Sequence, residues 1–334
     1  MSLRTGKLPP QVLQSLVLSD LGTRRSDVLV HAGLGEDSSV IDFGDWVCVV
    51  STDPITGAVA NAGWLSVHIS CNDVAANGAE PIGVLPTLLL PEGTTEDDIR
   101  RTMGEIGTAA AELGVEVLGG HTEITPGLPN LIISLTAIGK VAKANYVTSA
   151  GARPGDDILM SKWAGMEGTS ILADDLADPL AAYLDAAALQ RARNLVRRIS
   201  VVKEGLLAAR HGATALHDAT EGGVLGALYE MAEASGIGLE VWPESIPVLP
   251  ETAAICAAFD ADPLRLISSG AMLISSPNGA ALEDLLNREG VEATIIGVAT
   301  LLAAGRWLVH ADGKREPLLP PERDELWRIL EQRV

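Results

Sequence analysis

Short apolar runs of strand length recur along this chain, and many end abruptly in glycine or an acidic residue before a stretch of helical periodicity. Ser39-Val-Ile-Asp-Phe43 and Trp46-Val-Cys-Val-Val50 are separated by Gly44 and Asp45, the turn chemistry of a tight hairpin. The second run leads directly into Ser51, Thr52, Asp53 and Pro54. Ala62 to Asn77 is helical in character and meets Gly78, which suits a left-handed cap. Pro86 to Leu90 reads as a strand, and Thr94 to Asp98 supplies the hydroxyls and acids of a helix start. From there Ile99, Met103, Ile106, Ala110 and Leu113 recur at spacings of four and three, an apolar stripe closed by Gly114. Val115 to Leu118 and Leu131 to Ile138 add two strands. The alternation predicts an α/β organisation.

Before it, Val12, Leu13, Leu16 and Val17 give the first ~30 residues an amphipathic helical opening. Pro154 and Gly155 punctuate the chain, and a second alternation begins at Asp157. It contains an Ala-rich helical stretch around 183–209, a strand ending Ala215-Leu-His-Asp218 and a helix from about Gly222 to Ala234. Strand-like runs near 266–275 and 292–300 complete it. At 334 residues the chain exceeds the size at which one hydrophobic core stops growing. Two domains are expected, 1–150 and 151–334, with no short solenoid repeat.

Several function classes are disfavoured. No stretch approaches the roughly 18 consecutive apolar residues of a membrane-spanning helix. The opening Met1-Ser-Leu-Arg-Thr-Gly-Lys7 lacks the apolar region and small-residue cleavage site of a secretory signal, so a cytoplasmic location is expected. Cys48, Cys71 and Cys256 are scattered, which argues against a disulfide framework or a zinc site. A net charge of −20 repels a nucleic-acid backbone. A small phosphate ligand remains compatible with that charge when carboxylates first hold Mg²⁺.

Five junctions carry the candidate chemistry. Gly33-Leu-Gly-Glu-Asp37 is a glycine-flanked acidic turn whose carboxylate suits a hard cation. Asp53 ends an apolar strand, and Pro54 after it favours an extended backbone that aims the carboxylate outward. Helical geometry puts His68 and Asn72 on one face and Asp73 about one hundred degrees away. An Asn-Asp pair in an apolar helix is costly to desolvate unless it binds something, whether water or Mg²⁺. Gly119, Gly120, His121, Thr122 and Glu123 open from a strand, with amides that can cradle phosphate and an imidazole that can bind substrate or move a proton. His217, Asp218, Thr220, Gly222 and Gly223 lie at a strand-to-helix junction, a workable metal-phosphate site. Each has an ordinary alternative as a turn or helix cap; five in one chain point to function.

In order, Gly-Glu-Asp37-Ser-Ser-Val-Ile, Ser-Thr-Asp53, Asn72-Asp73-Val-Ala-Ala-Asn-Gly-Ala-Glu-Pro81, Gly119-Gly-His-Thr122 and Asp218-Ala-Thr-Glu-Gly-Gly223 resemble the AIR synthase-like (PurM-like) superfamily, from about residue 30 to 300. That resemblance implies an α+β, PurM-like two-domain fold, with an N-terminal domain forming a barrel at a homodimer interface and a C-terminal α/β domain packed on it. It implies ATP and Mg²⁺ as cofactors. Asp37, Asp53 and Asp73 would be metal ligands, Asn72 and Gly119, Gly120, His121 and Thr122 nucleotide contacts, and Asp218 and His121 catalytic groups. Phosphoryl transfer needs positioning and charge neutralisation more than a protein nucleophile, which suits this set. Within the superfamily the chain looks closest to the HypE hydrogenase-maturation proteins, although its last cysteine is Cys256 and it ends Leu-Glu-Gln-Arg-Val334. The implied activity is ATP-dependent phosphorylation of an amide- or carboxylate-type substrate, small or protein-bound, with a maturation partner as one option. The alternatives are a nucleotide-binding scaffold protein acting with a partner, or a small-molecule kinase of the thiamine-monophosphate kinase type.

Overall fold

The computed structural model describes residues 6–56, 61–320 and 323–331, so the readings made on the first five and last three residues lie outside it. The first half contains α1 (Pro10–Leu16), β1 (Val28–Val30), β2 (Ser39–Asp42), β3 (Trp46–Ile55), α2 (Ala62–Ala76), β4 (Glu80–Leu90), α3 (Glu96–Leu113), β5 (Glu116–Val117), β6 (His121–Ile124) and β7 (Ile132–Ala142). Its strands form a seven-stranded sheet, β1-β2-β3-β7-β4-β5, with β6 also paired to β4. Period-two burial along β3 turns Val47, Val49 and Ser51 inward and leaves Trp46 exposed. On the inward face lies α2, whose every residue is buried, as befits a helix apolar nearly all round.

The second half contains β8 (Asp157–Ser161), α4 (Met166–Asp175), α5 (Ala177–Leu180), α6 (Ala186–Asn194), α7 (Val202–Arg210), β9 (Ala215–Ala219), α8 (Gly223–Ser235), β10 (Gly238–Val241) and α9 (Pro250–Ala258). It continues through β11 (Ala271–Ser276), α10 (Gly279–Arg288), β12 (Ala293–Thr300), β13 (Arg306–Val309), β14 (Arg315–Pro317) and α11 (Glu325–Glu331). These strands make a second seven-stranded sheet, β14-β13-β10-β12-β8-β11-β9. β11, between β8 and the edge strand β9, is wholly buried. The two halves meet across α2. A Cβ on Gly205 in α7 would lie 2.5 Å from the Ala75 carbonyl oxygen, so the two backbones touch only because that residue is glycine.

The structure departs from the expected elements in three informative ways. The strand through Val50 continues to Ile55, carrying Asp53 and Pro54 inside it. β2 pairs only as far as Val50, so beyond it β3 has β7 as its one neighbour, and an open edge tolerates a proline. His121 to Glu123, read as a turn, belong with Ile124 to β6, parallel to β4; with all four residues exposed, no apolar alternation announced the strand. The helical stretch at 183–209 is broken into α6, a 3₁₀ turn over Leu195–Arg198, and α7.

Candidate active site

Four of the sequence-selected carboxylates line one cavity of about 590 Å³: Asp37 from the loop before β2, Asp53 on β3, Asp73 on α2 and Asp218 on β9. That volume is in the range of small-molecule sites. Asp73 is 5% exposed; its Oδ2 receives the Ser51 hydroxyl, and its carboxyl hydrogen-bonds that of Asp53. Two carboxyl groups adopt that contact when a proton lies between them. Burial, reinforced by Asp53, Asp218 and Asp37, holds the Asp73 carboxyl well above the usual range. Burial likewise pushes Asp218 up to about 7, Asp37 adding to the effect and His217 opposing it. Its Oδ2 is buried with no hydrogen-bond partner.

His217, beside Asp218 on β9, presents Nδ1 to Asp37 Oδ1 at 2.8 Å and Nε2 to Glu230 Oε2 at 3.2 Å. Burial disfavours charge on this ring, but Asp37 and Glu230 prevail and raise its pKa well above the ordinary value. With a carboxylate at each nitrogen, the ring is an imidazolium that fixes the direction of Asp37. Ser149 Oγ lies 3.1 Å from Asp37 Oδ2. Lys7 reaches in from the N-terminal segment, its Nζ 3.1 Å from Thr220 Oγ1; burial works against its charge, but Glu230, Asp53, Glu221 and Asp218 outweigh it and raise its pKa. A neighbouring cavity of about 340 Å³ shares Lys7, Glu36 and Asp37 and is bounded by the Gly33–Gly35 turn. Gly35 has φ +78°, and a Cβ there would meet the Glu230 carbonyl oxygen at 2.9 Å, so this turn requires glycine.

The other sequence-selected residues lie elsewhere. Asn72 is fully buried and faces the second domain: its Nδ2 donates to Ile199 O at 2.9 Å and its Oδ1 accepts from Val201 N at 2.8 Å. It stitches α2 to the break between α6 and α7 instead of lining the cavity. Gly119, Gly120, His121 and Thr122 are exposed beside β4; His121 bonds Glu123, and Gly120 packs so close that a Cβ would lie 2.1 Å from Pro86 O. None of these four lines either cavity within the chain. The start of α8 is capped in part by Asp324, whose Oδ2 accepts from Gly222 N at 2.6 Å. Sequence reasoning had not singled out Lys7, Ser149, Glu167 or Glu230, and had named His217 only as part of its junction, without a role of its own. Only His217 carried a signal, its place next to Asp218.

The donor set bears on Mg²⁺. Among the described residues, no three His, Cys, Asp or Glu side chains are gathered tightly enough to hold a metal ion as they stand. The chemistry nevertheless fits a hard cation: oxygen ligands throughout, an unpartnered buried Asp218 oxygen, and a carboxyl pair whose shared proton a cation can replace. Among the described lining residues of the larger cavity, Lys7 is the one Lys or Arg, against Glu36, Glu167, Glu221 and the four aspartates.

Fold and site together define a two-domain α+β protein with an acid-lined cavity to which both domains contribute. The chain belongs to the AIR synthase related protein family: the model of the family's N-terminal domain matches residues 35–141 and that of its C-terminal domain residues 153–302. It is 29% identical over 310 residues to a putative hydrogenase expression/formation protein of Methanocaldococcus jannaschii, covering 88% of each chain. To carbamoyl dehydratase HypE of Cupriavidus necator it is 33% identical over 234 residues, 67% of this chain and 64% of that one. A crystal structure of the hydrogenase maturation protein HypE in complex with ATP superposes with a TM-score of 0.69 at 24% identity over 97% of each chain, a likeness of fold.

Proposed function

We propose that this protein is an ATP- and Mg²⁺-dependent enzyme that phosphorylates, and thereby activates, an amide- or carboxylate-type acceptor. One observation carries the reading: Asp37, Asp53, Asp73 and Asp218, brought from distant points of the sequence, line a single cavity that has Lys7 as its one Lys or Arg among the described residues. A triphosphate enters such a cavity only with divalent cations. Asp37, Asp53 and Asp73 would hold Mg²⁺, which when bound neutralises phosphate charge and orients the γ-phosphoryl group. His217 keeps Asp37 aimed, Lys7 donates to a phosphate oxygen, and the free oxygen of Asp218 takes up a proton or completes the cation's coordination. The name carbamoyl dehydratase supports an amide-type acceptor, and the name hydrogenase expression/formation protein supports a role in hydrogenase maturation. We place the domain boundary near 150, between the last strand of the first sheet and the first of the second. Three free thiols accord with a cytoplasmic protein, and among the described residues no helix is long and apolar enough to cross a membrane.

The first sheet is open within one chain and leaves Trp46, Ile82 and Ile124 exposed, which supports a homodimer in which two such sheets close into a barrel. In that assembly Gly119 to Thr122, exposed at β6, would make their nucleotide contacts away from their own chain's cavity. Light scattering that returns a monomer mass at micromolar concentration would remove this part. The central test is nucleotide affinity. Asp53→Asn and Asp73→Asn are each expected to raise the Mg²⁺–ATP Kd by about tenfold or more. Wild-type affinity in both variants overturns the reading.

A further inference from the structure

We propose that Glu167 selects the acceptor substrate, its free carboxylate oxygen taking a hydrogen bond from an amide N–H, so that the enzyme acts on amides and rejects carboxylates. This rests on the reading of the cavity given above and narrows it.

Glu167 sits in the first turn of α4, 5% exposed, and lines the same cavity as Asp53, Asp73 and Asp218. Ser269, just before β11, hydrogen-bonds its carboxyl group, yet Oε2 is buried without any partner. Leaving a buried oxygen unpaired costs the protein its full desolvation penalty. A first-turn glutamate serves the helix dipole equally well from an exposed position, so the dipole does not account for this burial. A ligand in the cavity does.

The surroundings define the ligand's chemistry. Ile171, Ile267 and Leu326 line the cavity with Glu167 and make this part apolar. The charged groups that act on Glu167 are all acidic: Asp324 before α11, Glu221 after β9, and Asp53 on β3. A phosphate or carboxylate brought here would meet four acids, in a cavity whose one Lys or Arg among the described lining residues is Lys7. A neutral group carrying an N–H supplies what Oε2 lacks, while the metal-bound triphosphate occupies the aspartate side. Burial lifts Glu167 to about 7, with the Ser269 hydroxyl opposing, and an N–H donor favours its ionised form.

The test measures phosphate release from Mg²⁺–ATP with acetamide or methyl carbamate as amide probes and acetate as the carboxylate probe. The wild type is expected to respond to the amides and not to acetate. In Glu167→Gln the carboxamide N–H faces the cavity, so amide stimulation falls by about tenfold or more and acetate stimulation appears. A residue that only supported the fold would not invert that preference. Glu167→Gln with the wild-type preference overturns the inference, as does a wild type indifferent to both amides. Nucleotide Kd measured on the same samples separates the two failures. Lost Mg²⁺–ATP binding in the wild type defeats the ATP-dependent reading and this inference with it; intact binding with an unchanged preference defeats the inference alone.

Discussion

Asn72 and Asp73 are neighbours in sequence and do different work. The hundred-degree step between them on α2 turns Asp73 to the cavity and Asn72 to the second domain, where both ends of its amide are engaged. Asn72→Ala would leave a buried carbonyl and a buried N–H unpaired, and a loss of about 2–4 kcal/mol is expected in denaturant unfolding. A loss below about 0.5 kcal/mol would refute the stitching role. Asp53, Asp73 and Asp218 were legible as candidates because each stood in an apolar run or at its end, where a carboxylate needs a reason, and Asp37 because glycines flank its turn. Lys7, Glu167 and Glu230 were not, since nothing local distinguishes them from surface charges; their roles come from the residues opposite them.

Among the elements, α3 shows how far local chemistry reaches. Thr95 and Asp98 form a reciprocal capping box, and Gly114 takes φ +67° at the other end, as the sequence announced. Thr95→Ala is expected to reduce stability by about 1 kcal/mol while leaving the Mg²⁺–ATP Kd unchanged, because α3 lines neither cavity. A large change in Kd would show that α3 is coupled to the site. β6 shows the limit of local reading. Its residues are exposed and polar, so only pairing with β4 makes them a strand, and its position takes His121 away from the aspartates.

For the whole molecule, the gathered acids make stability depend on pH in an unusual direction. Asp73, Asp218 and Glu36 have carboxyl groups raised by burial and then by neighbouring carboxylates, Asp37 among them in each case, Asp218 and Glu36 to about 7. A group whose pKa is higher folded than unfolded stabilises fully below its unfolded value, about 4 for these acids, and loses that stabilisation as pH rises through the folded value. His217, raised from its own ordinary value, follows the same sign. In EDTA the melting temperature is therefore expected to fall from about pH 5 to pH 8, and Mg²⁺ is expected to restore it at the upper end. A melting temperature that climbs over that interval and ignores Mg²⁺ would contradict a strained acid cluster. What the sequence determined by itself was the class of fold, many of the helix ends and which aspartates were candidates, because periodicity, caps and acids in apolar runs or glycine turns are local properties. The tertiary structure alone decided that Asp37, Asp53, Asp73 and Asp218 share a cavity, that Asn72 joins domains and that Lys7 and Glu167 complete the wall. Those are contacts between residues up to hundreds of positions apart, and electrostatics and packing act through space, on which spacing along the chain carries no information.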